Sequence, residues 1–315
     1  MVSFEKPGFT FSFDLTDEID LLMAHKLKES RFIPPKQADR LLVCTWNIAN
    51  LGLHKRGEDH YRIIAEVLSW FDIIAVQEVH DNLEGLYKLE QFIGTEYELI
   101  FNDRGGNDER AAFFFDGNKV QRLELTGEVG IPVGEHKWIK IKDIDQEFRG
   151  FDRNPFIASF SFNDVSFSLI NAHLFFGSKS DAKALQRRAL EAFAVGRYAD
   201  LRSKDMHAFT DYFIALGDFN IPKAEKGDTI FDALTKRGLV VPEHSTKIAS
   251  SIMSDAQYDQ IAFFPNIKRK VKASGVFDYD TVIFPGLWDQ HPSSFKKYCR
   301  YYISDHRPMW VQLEL

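Results

Sequence analysis

Cysteine is scarce in this chain. Two of its 315 residues are cysteines, Cys44 and Cys299. That is too few for a disulfide framework, and both are expected free and buried, with one long-range bridge as the alternative reading. No apolar run approaches the roughly 18 residues that a bilayer span needs. The opening stretch MVSFEKPGFTFSFD lacks the charged-then-apolar pattern of a secretory leader. A cytoplasmic protein is therefore expected, although a mature secreted form would read the same. Basic excess is missing too. Lys and Arg number 39 against 46 Asp and Glu, a net charge of −7. This argues against nonspecific coating of nucleic acid, which needs a basic surface. It does not argue against phosphoryl chemistry, where carboxylates hold a cation and the cation attracts phosphate. Internal repeats, Gly/Ser linkers and close-spaced metal or phosphate signatures are absent as well. There is no Cys-x-x-Cys pair, no His-Glu-x-x-His and no glycine-rich phosphate loop.

What is present is a large apolar fraction, 44%, with 29 phenylalanines. Such a composition excludes wholesale disorder and supports a core that needs no staple. Short apolar runs alternate with helical stretches. Residues 14–30 carry Ile19, Leu22, Met23 and Leu27 at helical spacing, acids early and lysines late. The prolines of RFIPPKQ then end that helix. Strands are expected at 41–48, 72–79, 111–116, 155–162, 165–174, 212–220, 258–264 and 308–315. Helices are expected at 58–70, 181–201 and 229–238, the last ending at Gly238. The pattern predicts an α/β protein, a four-layer sandwich: two mostly antiparallel sheets packed face to face with helices outside. Residues 1–40 read as an N-terminal extension with a helix, covering a sheet edge, and 41–315 as a single domain.

Polar residues recur where these strands end. Asn47 and Glu78 close the first two. Asn171 and His173 lie at the end of VSFSLINAHL, Asp218 and Asn220 at the end of YFIALGDFN. Asp259 opens YDQIAFF, and Asp305 and His306 precede the last strand. Singly, each has a plainer role as a turn residue, a helix cap or a structural histidine. Together they place carboxylates, amides and imidazoles at one rim of a sheet. Glu78, Asp218 and Asp305 offer the oxygens that a hard cation such as Mg²⁺ prefers. His173 and His306 titrate near neutrality and can each move a proton.

The strings TWNIANLG, AVQEVHDN, NAHLFFG, LGDFN, YDQIAF and SDHRP resemble, in order, the endonuclease/exonuclease/phosphatase superfamily, from about residue 41 to the C-terminus. FDIIAVQEVHD, ERAAFFFD, NPFIASF and ISDHRPMWVQLEL are most similar to pancreatic-type deoxyribonucleases. The resemblance implies roles. Glu78 would be the principal metal ligand, with Asn47 and Asp305 as helpers. Asp218 and Asn220 would orient the nucleophile, metal or phosphate. His306 would pair with Asp259 and His173 with Glu109. Arg153 and Asn171 would lie near the substrate phosphate. The implied activity is that of a Mg²⁺-dependent phosphodiesterase, with Mn²⁺ substituting, acting on DNA and possibly RNA. The alternative is a phosphatase or phospholipase C-type hydrolase of the same superfamily. A monomer with a nucleic-acid substrate and no obligate protein partner is expected.

The chain also departs from the pancreatic group. His80 stands where that group has a DNA-contacting arginine, and Asn107 where it lays a tyrosine into the minor groove. The group's structural disulfide has no counterpart. Two further features have competing readings. Lys183, Arg187, Arg188 and Arg197 form either a phosphate-tracking stripe or a solvated helix face. Tyr61, Phe175, Phe176 and Trp288 are either a stacking wall or core.

Overall fold

A computed structural model describes residues 3–178, 181–210 and 212–315. In chain order it forms α1 (Leu15–Lys26), β1 (Leu41–Leu51), α2 (Glu58–Ser69), β2 (Ile73–His80), α3 (Glu84–Ile93), β3 (Tyr97–Phe101), β4 (Glu109–Asp116) and β5 (Gln121–Glu128). Then follow β6 (Phe156–Phe162), β7 (Val165–His173), α4 (Ala182–Ser203), β8 (Tyr212–Asp218), α5 (Thr229–Thr235), β9 (Asp259–Phe263), α6 (Pro265–Lys268) and β10 (Val271–Val276). The chain ends with α7 (Pro285–Gln290), α8 (Phe295–Tyr302) and β11 (Met309–Leu313).

The strands make two sheets, one ordered β10-β11-β1-β2-β4-β3 and the other β5-β6-β7-β8-β9. Each is antiparallel except for one parallel pair, β1 with β2 and β7 with β8. Three apolar clusters follow from the period-two alternation of the strands. Leu41 and Val43 of β1 face the space between the sheets, where they meet Phe113, Phe160, Phe167 and Ile214. Leu42, Cys44 and Trp46 face the other way, onto helices α2, α3 and α8. Phe213 and Ala215 of β8 likewise turn outward onto α4 and α5. Helix, sheet, sheet and helix therefore stack as the expected four layers.

Several elements were invisible in the sequence pattern: α3, β3, β5, β10 and α8. The strand β5 is a largely exposed edge whose side chains are mostly polar. Helix α1 packs on α2 rather than over a sheet edge. Its Asp14 N-cap accepts from the N–H groups of Thr16 and Asp17. Residues 3–13 have no regular structure, yet Phe4, Phe9, Phe11 and Phe13 pack against the same cluster as α2 and α8. Cys44 and Cys299 are free and buried.

Candidate active site

The inter-sheet face is apolar for most of its length and turns polar at one end. Asn47 continues the row Leu41, Val43, Thr45 on β1. Glu109 ends the row Phe115, Phe113, Ala111 on β4, and His173 ends Phe167, Leu169, Asn171 on β7. Asp218 and Asp259 end the corresponding rows of β8 and β9. Register aligns them side by side, His173 opposite Asp218 and Asp218 opposite Asp259. One pocket of about 390 Å³ results, lined by Glu78, Glu109, Arg153, His173, Asp218, Asn220, Asp305 and His306 among others.

Glu78 is out of phase with this pattern, since alternation from Ile74 and Val76 points it at the helices. The β2 ladder slips in register between Val76 and Val79, and Glu78 adopts a φ of +58°. Such a bulge re-aims a side chain at the cost of local backbone strain. The turned carboxylate accepts from the backbone N–H of Asn50 at 2.8 Å and from Asn47 Nδ2 at 3.0 Å. Asn47 Nδ2 donates equally to Asp218 Oδ2, also at 3.0 Å. The loop carrying Asp305 and His306 is pinned to the same strand. Ser304 Oγ donates to Asn47 O at 2.6 Å, and Trp46 Nε1 donates to His306 O at 2.8 Å. Arg56, buried, donates to the carbonyls of Ala49, Asn50, Tyr302 and Ile303, locking the end of β1 to the end of α8.

Two imidazoles sit against carboxylates. His306 Nδ1 is 2.8 Å from Asp259 Oδ2, and His173 Nδ1 is 2.7 Å from Glu109 Oε2. This fixes each ring with Nε2 toward Asp218. Burial works against a charged His306, but Asp259 and Asp218 overcome it and hold the imidazole well above its ordinary pKa. His173 is raised in the same way, burial and Arg153 opposing, Glu109 and Asp218 prevailing. Burial disfavours the Asp218 anion, yet the two imidazoles and the Asn220 N–H bring its pKa below the usual carboxylate value. Glu78 has the His173 imidazole 4.0 Å away, which favours its anion less than its surroundings oppose it. Burial and the neighbouring Glu109 push its pKa up.

The donor set suits a hard cation. The Asn47 amide must present its nitrogen to the two carboxylates it bridges, which leaves Oδ1 buried without a hydrogen-bond partner among the described residues. Asn50 Oδ1 is in the same position. The Asn47 amide oxygen, without a donor and beside Glu78, adds to an oxygen-rich donor set of the kind a hard divalent cation takes. Asp218, Asp259 and His306 also bring one ligand atom each within 4.8 Å of one another. There, however, Asp259 is already bound to His306, so the trio reads as a proton-handling unit.

No sequence-family profile and no curated protein matches the chain. Its fold does match solved structures. An endonuclease/exonuclease/phosphatase family protein from Bacteroides thetaiotaomicron aligns at 18% identity and TM-score 0.55, over 87% of this chain and 94% of that one. TDP2 from D. rerio, complexed with single strand DNA product, aligns at 15% identity and TM-score 0.56, over 87% and 98%. A mannosyl-6-phosphatase from Bacteroides thetaiotaomicron aligns at 18% identity and TM-score 0.53, over 86% and 98%. The fold is that of the endonuclease/exonuclease/phosphatase superfamily.

Of the two expected phosphate contacts, Asn171 lies outside the pocket and Arg153 lies in its wall with its donors engaged. Asn171 is wholly buried beneath the pocket. Its Nδ2 donates to the carbonyls of Val76 and Ala112, where the β2 register slips, and its Oδ1 accepts from Gln77 Nε2 at 2.7 Å. Every polar atom of that amide ties one sheet to the other. Arg153 lines the pocket, but its guanidinium donates to His173 O at 2.9 Å and Leu174 O at 2.8 Å. It stands 3.6 Å from Glu109 and 3.5 Å from Asp152 as well, so it positions the His173 segment. Asn220 Nδ2 donates to Leu174 O at 2.8 Å.

The arginines of α4 are also spent locally. Arg187 pairs with Asp152 and Glu191, Arg197 with Glu135, and Arg188 is buried against the Phe176 ring. Engaged in this way, these three arginines are not a free stripe for a phosphate chain. Of the suggested aromatic wall only Phe176 reaches the pocket, joined by Tyr258 at 6.5 Å between ring centres. Tyr61 is core, Phe175 lies under Arg187, and Trp288 stacks on Phe295. Sequence reasoning missed Phe4 and Arg300, which also line the pocket.

Proposed function

We propose that this chain is a Mg²⁺-dependent phosphodiesterase that hydrolyses nucleic acid, DNA foremost, by water attack in line with the leaving oxygen. The observation that carries this reading is the pair of imidazole–carboxylate units facing one carboxylate. Both Nε2 atoms lie within 4 Å of Asp218 Oδ2, at 3.7 and 3.8 Å. Two proton-handling groups on either side of one anion is what phosphodiester cleavage asks for, one near the attacking water and one near the leaving oxygen.

Asp259 orients His306 to take the proton of the attacking water. Because Asp259 and Asp218 favour the imidazolium, His306 must release its resting proton first, so turnover rises with pH. His173, kept protonated by Glu109, stabilises the charge that develops on the phosphorane or gives its proton to the leaving oxygen. Asp218, anionic and anchored by Asn47 and Asn220, holds the two rings in place. Glu78, Asp305 and the Asn47 amide oxygen would hold Mg²⁺, which polarises a phosphoryl oxygen and lowers the pKa of a bound water. That a structural neighbour, TDP2, was solved with a single strand DNA product supports a nucleic-acid substrate. A mannosyl-6-phosphatase neighbour keeps small phosphomonoesters as the second reading.

One assay panel separates the two. Supercoiled plasmid, linear duplex, single strands, RNA, inositol phosphates, sugar phosphates and sphingomyelin are compared with and without Mg²⁺. Nucleic-acid cleavage that vanishes in Glu78→Ala is the expected result. Activity confined to lipid or small phosphate esters would replace this reading with the alternative.

A further inference from the structure

The pocket holds an arginine that the chemistry above does not use. Arg300 projects from α8 onto the pocket wall with its side chain about one-third exposed, 34%. Two contacts hold it. Its Nε is 3.4 Å from Asp305 Oδ2, an ion pair only, since Nε makes no hydrogen bond among the described residues. Its guanidinium carbon is 3.2 Å from the centre of the Phe4 ring, a cation–π contact.

Phe4 belongs to the N-terminal segment, and the fold fixes it from several directions. Its N–H donates to His54 Nε2 at 3.1 Å. His54 in turn stacks on Tyr301, next to Arg300 in sequence, at 4.4 Å. Further along, Phe9 stacks on His291 at 4.2 Å and Phe13 lies on Phe284 at 4.8 Å. Residues 3–13 are thus a strap laid along α8, and its leading ring ends against the active-site arginine.

Charge explains what such an arginine is for. Four carboxylates line the pocket, Glu78, Glu109, Asp218 and Asp305, and two arginines. Arg153 is committed to carbonyl oxygens. Arg300 offers a fork of donors suited to phosphate oxygens, and it is already held in place, so little freedom is lost on binding. We infer that Arg300, clamped by Phe4, binds a second phosphate adjacent to the scissile one, and that the strap thereby selects polyanionic strands over phosphoesters with a neutral neighbour. The inference rests on the phosphodiesterase reading and names the substrate feature that the same site recognises.

The test compares two esters that share a p-nitrophenyl leaving group, the ester of thymidine 5′-phosphate and that of thymidine 3′,5′-bisphosphate. The full chain is assayed with saturating Mg²⁺. The ratio of kcat/KM for bisphosphate over monophosphate is the readout, because a disturbance of Asp305 acts on both esters and cancels. A ratio of about tenfold is expected, the value of one charge-assisted hydrogen bond. Arg300→Ala should bring it to within about twofold of unity, Phe4→Leu should lower it by at least about threefold, and Phe4→Trp should retain it. A wild-type ratio near one, or an unchanged ratio in Arg300→Ala, overturns the inference alone. An unchanged ratio in Phe4→Leu overturns the strap's part in it. Hydrolysis of neither ester, with Mg²⁺ or Mn²⁺, overturns the phosphodiesterase reading and the inference with it.

Discussion

His173 and His306 face the same oxygen, their Nε2 atoms 3.7 and 3.8 Å from Asp218 Oδ2. One carboxylate thus favours the proton on both rings, and the two rings together keep that carboxylate ionised against its burial. Asp218→Asn keeps the shape and removes the charge. Turnover should fall by about 10²–10³, the scale of one proton-transfer contribution. Both histidine titrations, followed by NMR, should move to lower pH. Turnover within about threefold of wild type would remove Asp218 from the coupling.

Arg153 gives a prediction that separates holding a segment from holding a phosphate. Its donors meet the carbonyls of His173 and Leu174. Arg153→Ala takes a charged donor from both buried carbonyls and a cation from beside Glu109, although Asn220 stays on Leu174 O and His173 on Glu109. Stability should drop by about 3 kcal/mol, as expected when one side of a buried charge network is removed. Because the loss displaces His173, kcat should fall with KM little changed. A rise in KM at constant kcat and Tm would return Arg153 to the phosphate.

His60, which meets Phe13 of the strap edge-on at 5.1 Å, carries a pH signature. Burial, aided by the nearby Arg56 cation, lowers the His60 pKa to about 4. Its ring stacks on Tyr302 at 4.5 Å and bonds the Tyr298 hydroxyl at 2.9 Å. Above about pH 6.5 the imidazole is neutral folded and unfolded alike, and contributes no pH dependence. As pH falls from about 6.5 toward 4, the unfolded chain binds a proton that the folded chain refuses, so stability is lost over that window. At pH 5 the loss is about 2 kcal/mol. His60→Gln should flatten that part of the denaturant-derived stability curve. A variant curve parallel to wild type would contradict the assignment.

How far the sequence alone leads is instructive residue by residue. Asn47, His173, Asp218 and Asp259 are legible because each stands at the end of an expected strand, whose alternation sets its face, whereas Glu109 is legible only by resemblance, since the strand expected there begins at residue 111. Glu78 is legible as a carboxylate closing a strand, but its direction is not, since alternation points it outward and a bulge turns it back. Asn171 obeys the alternation and still misses the pocket, because carbonyls freed by that same bulge absorb its amide. Phe4 and Arg300 carried no periodic signal. The one hint was a run of phenylalanines at 4, 9, 11 and 13 ahead of the first helix. The strands β3, β5 and β10 were missed because such strands are specified by their neighbours more than by their own residues.

Gly217 precedes Asp218 in β8 with a φ of +134°, a conformation that side chains strain to adopt. A Cβ there would lie 2.0 Å from the carbonyl oxygen of Ala172. That carbonyl belongs to the parallel β7–β8 ladder that sets His173 opposite Asp218. Gly217→Ala should therefore push the two strands apart at the point where the site is assembled. Loss of several degrees in Tm together with loss of activity is expected. A variant with wild-type Tm and turnover would mean that the ladder yields there at no cost.

On the proposed reading, Glu78 links the cation to stability with opposite signs in its two states. Burial and the Glu109 carboxylate raise its pKa in spite of the nearby His173 imidazole, so its ionised form is disfavoured without a cation. In EDTA at pH 7, Glu78→Gln should melt at or above the wild-type temperature. With saturating Mg²⁺ the order should reverse. The wild type gains about 2–4 °C from binding, and the variant, lacking the principal anionic ligand, gains nothing. Function follows the same lines. Activity lost to EDTA should return with Mg²⁺ or Mn²⁺ in the wild type and not in Glu78→Gln. A wild type that melts identically with and without Mg²⁺, or that recovers activity with Zn²⁺ alone, would show that the oxygens around Asn47 serve no hard cation.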